Sequence, residues 1–310
     1  MAASVGGPRP GRLPPPRRPG PRRRLTVRSA TIAAVRIATW NVNSVTARLP
    51  RLLEWLQDSA PDALCVQETK VADFPSADVE SLGYEVAAHG DGRWNGVAIL
   101  SRVGLADVRR GLDGEPGYAP AASTATAQEE LPLTTTDGPP PREARALAAT
   151  CGAVRLWSVY VPNGREPGHE HYAYKLAWLA ALRDTVAAEL GESPLAVLGD
   201  FNVAPTDADV WDPAAFVGST HVTPPERKAL ERLRALGLTD VLPRAMKHDT
   251  PFTYWDYRAG NFHKNFGMRI DLVYASASFA AHVRDSYVDR DARKGKGPSD
   301  HAPVVVDLDL

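Results

Sequence analysis

The run LAVLGDFN, Leu195 to Asn202, sets the pattern from which the rest of the chain can be read. Leu195 to Leu198 are apolar and form a run short enough for a buried strand; Gly199 then leads into Asp200 and Asn202, with Phe201 between them. Side chains alternate along an extended chain, so Asp200 and Asn202 are expected on one side and Phe201 in the core. Two readings fit. Asp and Asn commonly form the turn after a strand, whereas a carboxylate beside an amide can take a proton from water, position that water, or donate to developing phosphate charge.

Outward from this run the arrangement recurs. Asn41 and Asn43 follow VRIAT within a strand read over Val35 to Val42, Glu68 follows the strand Ala63 to Gln67, Tyr160 falls in the strand Val154 to Val161, and Asp300 and His301 precede the strand Val304 to Leu308. Val97 to Ser101 and Ile270 to Ala275 also read as strands. Helices are expected over Leu49 to Gln57, over Tyr172 to Leu190 with Leu176, Leu179, Leu182 and Val186 at helical spacing, and over Pro224 to Leu236, entered through proline. Strands and helices mixed throughout imply one α/β fold around stacked sheets. Strand ends that share a rim collect functional groups on a rigid scaffold.

The residue types narrow the chemistry. Hard cations such as Mg²⁺ take carboxylate and amide oxygens and keep several waters, so Glu68 with one further acid or amide suffices as protein ligation; an acid after a buried strand can equally cap the next element. In Ser299-Asp300-His301 a carboxylate can hold the imidazole and favour its cationic form. Asp271 lies inside the apolar run MRIDLVY, where an unpaired carboxylate is costly, so it needs a partner, and His301 is the one suggested.

Composition excludes more than it selects. An apolar content of 44% is ordinary for a globular core. Eight arginines and no acid precede Arg36, so only 28 of the 36 basic residues face 37 acidic ones in the remainder. The body is acidic, and a polyanion must be met through local basic patches and bound metal. Cys65 and Cys151 form no CxxC pair, which argues against a disulfide framework or a thiolate zinc site and fits a reducing compartment, here the bacterial cytoplasm. No apolar stretch approaches membrane-span length. Residues 1–34 read as a disordered Arg/Pro-rich tail, residues 35–310 as a single domain, and Gly114 to Pro141, rich in Ala, Thr, Pro, Gly and Glu, as an exposed and mobile insertion.

Taken together, TWNVNSVTAR, LCVQETK, NGVAILSR, VYVPNG, LGDFNVAP, FTYWDYRAGNFHKNFGMRIDLVYAS and SDHAPV resemble, in order, the exodeoxyribonuclease III and apurinic/apyrimidinic endonuclease family of the endonuclease/exonuclease/phosphatase superfamily. The resemblance implies a four-layered α/β sandwich, two packed β-sheets flanked by helices. It implies a monomeric, Mg²⁺-dependent base-excision repair nuclease, with Mn²⁺ as an alternative metal, that cuts double-stranded DNA 5′ to abasic sites; many bacterial members also digest 3′ ends and remove 3′ phosphates. Carried over by motif, Glu68 is the principal metal ligand with Asn41 close by, and Asn43 and Asp300 belong to the metal environment. Asp200 orients or deprotonates the attacking water, Asn202 and His301 contact the scissile phosphate, Tyr160 lies beside it, and Asp271 supports His301. Tyr254, Met268 and Ile270 are implied near a pocket for a base-less sugar, with Asn163 and Trp255 as further DNA contacts and Arg258, Lys264 and Arg269 as local positive charge. An apolar pocket too small for a nucleobase selects abasic sites by shape.

Superfamily relatives use the same machinery on phospholipids or inositol phosphates, but the WDYR and GMRID segments favour DNA. A DNA-binding module without catalysis requires a broken site, and here every expected polar position is filled. The arginine-rich head and the insertion are the two departures from the family pattern.

Overall fold

The computed structural model describes residues 1–3, 7, 34–119 and 139–310. The expected Arg/Pro-rich tail and the middle of the expected insertion lie outside the described residues. Ala33–Leu310 forms one compact unit.

Two six-stranded sheets build it. The first takes β1 (Ala34–Asn41), β2 (Ala63–Gln67), β3 (Glu85–His89) and β4 (Val97–Ser101) and, from much later in the chain, β11 (Val283–Val288) and β12 (Val304–Asp309). The second takes β5 (Ala106–Arg110), β6 (Ala146–Cys151), β7 (Val154–Tyr160), β8 (Leu195–Asp200), β9 (Thr239–Asp240) and β10 (Asp271–Ala275). Strand orders are β11-β12-β1-β2-β4-β3 and β5-β6-β7-β8-β10-β9. The helices include α1 (Val45–Ser59), α2 (Ser76–Glu80), α3 (Glu170–Glu189) and α4 (Pro224–Arg234). Each sheet is centred on one parallel pair, β1/β2 joined through α1 and β7/β8 joined through α3, with antiparallel strands on both sides. A parallel pair needs such a crossover, and it carries both of its strands' carboxyl ends to the same edge.

The layers follow from strand alternation. Ile37, Cys65 and Val306 of the first sheet face Leu156, Leu198 and Val273 of the second across the central core. The opposite faces are also apolar: Ala38, Leu64 and Val66 pack under Leu52 and Leu56 of α1, while Trp157, Val197 and Tyr274 pack under Trp178 and Leu182 of α3 and Leu230 of α4. Strands buried on both faces read as continuous apolar runs, which is how the central ones are written in this sequence. The result is the four-layered α/β sandwich.

Local signals fix the helix starts. Thr223 and Glu226 form a reciprocal capping box with proline at the head of α4. Ser44 caps α1 three residues after β1 ends at Asn41, so this helix begins earlier than its apolar spacing suggests and carries Pro50 inside it. At the amino end of the expected insertion two side chains pack onto the domain, while Pro139 to Pro141 at its other end are exposed. Glu115 is buried and accepts from Trp178 Nε1 at 2.8 Å, and the Tyr118 ring stacks on Tyr174 with centroids 5.1 Å apart.

Candidate active site

The carboxyl ends of both parallel pairs open on one cavity of about 260 Å³, lined by residues that include Glu68, Tyr160, Asp200, Asn202 and His301. The backbone turns the same way at β1 and β8. Asn43 N donates to Asn41 Oδ1 at 3.0 Å, and Asn202 N donates to Asp200 Oδ1 at 2.9 Å. These side-chain-closed turns, not strand alternation, bring Asp200 and Asn202 to the same cavity, with Asn202 in the left-handed region at φ 51° and Phe201 in the core as expected. Gly199 is required here, because a Cβ would stand 2.0 Å from the Val159 carbonyl oxygen of the neighbouring strand. Glu68 and Lys70 also adopt positive φ, at 53° and 54°. Such backbone is strained for non-glycine residues and gathers at functional sites.

One amide joins the two sheets. Asn41 Nδ2 donates to Glu68 Oε1 and to Asp200 Oδ2, each at 2.9 Å. A second link is the imidazole of His301, whose Nδ1 is 2.8 Å from Asp271 Oδ2 and whose Nε2 is 3.9 Å from Asp200 Oδ2. The site therefore draws Asn41, Glu68, Asp300 and His301 from the first sheet's side and Tyr160, Asp200, Asn202 and Asp271 from the second's.

Burial and neighbours set the protonation states. Burial lifts the Asp200 carboxyl, Asp271 and Glu68 lift it further against the opposing pull of His301, and its pKa rises to about 7. For His301, burial alone lowers the pKa, but Asp271, Asp200 and Asp300 outweigh it and push the ring up to about 10. Glu68 behaves oppositely: burial favours its neutral form, yet Lys70, the Asn41 amide and His301 hold it below the usual range. Burial, then the Glu68 charge, pushes the Tyr160 phenol well above its ordinary value, so it remains a donor. A carboxylate poised near neutrality beside a cationic imidazole is the arrangement of a base paired with an electrostatic stabiliser.

The donor set suits a hard cation. Ligand atoms of Glu68, Asp200 and His301 lie within 4.8 Å of one another, but a His301 held cationic by Asp271 has no lone pair for a metal, which leaves the carboxylates. Lys70 Nζ marks where positive charge is welcome, at 2.6 Å from both Glu68 Oε2 and Asn43 Oδ1. Asn43 in turn donates to Asp300 Oδ1 at 3.0 Å. Asn41 differs from its expected part as a ligand: its nitrogen faces the carboxylates, while its oxygen closes the turn to Asn43. It orients Glu68 and Asp200 instead.

A buried ion pair stands beneath the cavity, and sequence reading did not find it. Lys175 of α3 and Glu226 of α4 are both fully buried, 2.5 Å apart. Lys175 Nζ also donates to the backbone carbonyls of Asn202 at 2.7 Å and Asn163 at 3.0 Å, and Asn163 Nδ2 reaches Asn202 Oδ1 at 3.3 Å. His221 adds a third support, its Nδ1 donating to the Asn202 carbonyl at 2.5 Å. The capping box flags Glu226, but nothing in α3 flags Lys175, which occupies an otherwise apolar helix face.

Of the remaining expected residues, Tyr254, Met268 and Ile270 line the cavity, and the Tyr254 ring lies 4.9 Å from that of His301. Arg258 and Lys264 are exposed, Arg258 on an ion pair with Asp256. Two expectations fail. Trp255 is 1% exposed, sealed among Phe252, Val288 and Ala302, so it cannot touch DNA from this position. Arg269 is 2% exposed and bound to Asp209 and Asp240 at 2.6 and 3.0 Å, so its charge is spent inside the protein.

The family model described as the Endonuclease/Exonuclease/phosphatase family matches residues 38–301. Exodeoxyribonuclease III of Haemophilus influenzae is 28% identical over 284 residues, covering 87% of this chain and 98% of that protein. A 3′ phosphatase, NExo, from Neisseria, solved bound to a product DNA hairpin, is similar at TM-score 0.77 and 36% identity, covering 89% of this chain and all of that one. An AP endonuclease from Archaeoglobus fulgidus is similar at TM-score 0.77 and 33% identity with the same coverage.

Proposed function

Because the chain belongs to the endonuclease/exonuclease/phosphatase family, in its exodeoxyribonuclease III and apurinic/apyrimidinic endonuclease branch, we propose how this DNA-repair nuclease acts. Its substrate is duplex DNA, cut 5′ to abasic sites, with 3′-terminal nucleotides and 3′ phosphates removed at the same centre, and Mg²⁺ is required. The observation that carries this reading is the meeting of Glu68, Asp200 and His301 within 4.8 Å at the joint of the two sheets.

Each residue has a part that its surroundings support. Ionised Asp200, fixed by Asn41 and by the Asn202 backbone, takes the proton of the attacking water. Cationic His301, held by Asp271, stabilises charge gathering on the phosphate oxygens, and the Tyr160 phenol donates beside it. Glu68 and Asp300, with the Asn43 amide oxygen, would hold the metal. When bound, Mg²⁺ supplies Lewis-acid stabilisation of the developing charge. Tyr254, Met268 and Ile270 form the apolar wall against which a base-less sugar fits, and Arg258 and Lys264 meet phosphates of the duplex. Asn163 touches the DNA strand at the cavity mouth.

Activity at 3′ ends is favoured separately by the 36% identity to a 3′ phosphatase. The test is to incubate the full chain with a duplex carrying one abasic analogue and with a hairpin bearing a 3′ phosphate, each with Mg²⁺ or with chelator. Metal-dependent hydrolysis of both is expected. Hydrolysis of the hairpin alone would confine the enzyme to 3′ ends; hydrolysis of neither would overturn the reading.

A further inference from the structure

A second cavity of about 530 Å³ adjoins the first and shares His221, Tyr254 and Met268 with it. Its character is different: Trp211, Phe216, Tyr254 and Phe266 give it aromatic walls, and Arg165 and Asn261 stand among its lining residues. Trp211 is 38% exposed, although indole is among the costliest side chains to leave in water. The Trp211 and Phe266 rings stack nearly parallel, with centroids 4.0 Å apart and an interplanar angle of 15°.

The stack is held rigidly. Trp211 N donates to the Gly267 carbonyl at 3.0 Å, Val210 bridges Met268, and Arg269 N donates to the Asp209 carbonyl at 2.8 Å. Behind these, the Arg269 guanidinium binds the Asp209 and Asp240 carboxylates. Gly267 is needed for the close approach, because a Cβ there would stand 2.6 Å from Trp255 Nε1. A buried ion-pair lattice thus serves to fix an exposed aromatic face one wall away from the phosphate site.

We propose that this second cavity binds an unstacked nucleobase, that of the nucleotide carrying the scissile phosphate, with the Trp211–Phe266 stack as its platform. The inference rests on the nuclease reading above. A flat aromatic face accepts any base, because every base has a π-face, and a site contiguous with the phosphate cavity is within reach of the same nucleotide. The cavity also falls in the size range of small-ligand sites. It gives 3′-end trimming a means of gripping a frayed terminal nucleotide that the smaller, largely polar catalytic cavity does not hold.

The experiment compares the full wild-type chain with Trp211→Ala and Trp211→Phe on two duplexes. One ends in a mispaired 3′ nucleotide; the other ends in a 3′ nucleotide analogue that has no base. With the mispaired end, Trp211→Ala should raise KM about tenfold with kcat nearly unchanged, and Trp211→Phe should recover most of the loss. With the base-less end all three proteins should behave alike. Equal KM values for wild type and Trp211→Ala on the mispaired end would overturn the proposal, as would an equal loss on both ends, which signals a distorted site. Wild type that cuts neither duplex overturns the nuclease reading itself.

Discussion

Nδ1 of His301 and Oδ2 of Asp271 lie 2.8 Å apart although the two residues come from different sheets, Asp271 on β10 and His301 at the approach to β12. The carboxylate both fixes the ring and keeps its charge. Asp271→Asn preserves the shape but removes that charge, so kcat on a 3′-phosphate or abasic substrate should fall by roughly 10²-fold or more. Steady-state kinetics at saturating DNA checks this, and a loss of less than about threefold would reject the pairing as functional.

Asp200→Asn tests the proposed base. The amide keeps one oxygen, which in the Oδ2 position still accepts from the Asn41 and Asn202 side-chain amides, while the Asn202 backbone N–H loses its acceptor; the side chain keeps its size and the proton acceptor is lost. Turnover should drop by roughly 10²- to 10⁴-fold with DNA affinity retained. Affinity measured by anisotropy beside turnover separates the two effects.

Lys175 and Glu226 are screened from water on all sides. Removing one charge leaves the other unpaired, so Lys175→Met should cost roughly 3–5 kcal/mol of stability in urea unfolding, and adding Glu226→Gln should restore part of it. A cost below about 1 kcal/mol would mean that water reaches the pair.

His171 makes stability sensitive to acid. Its Nδ1 accepts from Gly164 N at 3.1 Å, and burial, helped by the nearby Arg145, lowers its pKa from an ordinary 6.5 to about 4. Between those values the unfolded chain binds a proton that the folded chain refuses, so stability falls as pH drops from 6.5 towards 4 and is untouched by this residue above that window. His171→Gln keeps an acceptor and removes the titration. Wild type should therefore lose more stability than the variant across that range, and parallel stability curves for the two would count against the assignment.

Much of this was legible in the sequence because the central strands are buried on both faces. β2 and β4 coincide with the expected Ala63 to Gln67 and Val97 to Ser101, and β1, β7, β8, β10 and β12 fall within a residue or two of their apolar runs. What escaped reading lies at the margins. β3, β5, β9 and β11 are the edge strands of the two sheets, and sequences such as ADVRR and VRDSYV lack a continuous apolar signal because one side meets solvent. β6, ALAATC, is internal but alanine-rich, which hides it from strand preference. The polar site residues announced themselves by standing at strand ends. Trp255 and Arg269 misled because residue type alone does not tell an aromatic or a cation facing DNA from one enclosed by Phe252 or by Asp209 and Asp240. Lys175 stayed hidden because its partners are distant in the chain.

The strand order makes the site depend on partners far apart in the chain. One of the two sheet neighbours of β1 is β12, which follows all the other described strands in sequence, and His301 stands just before it. Without that segment β1 has an unpaired edge and Asp271 has no imidazole to hold. A nascent chain therefore cannot complete the His301–Asp271 pair until the β12 segment has been translated.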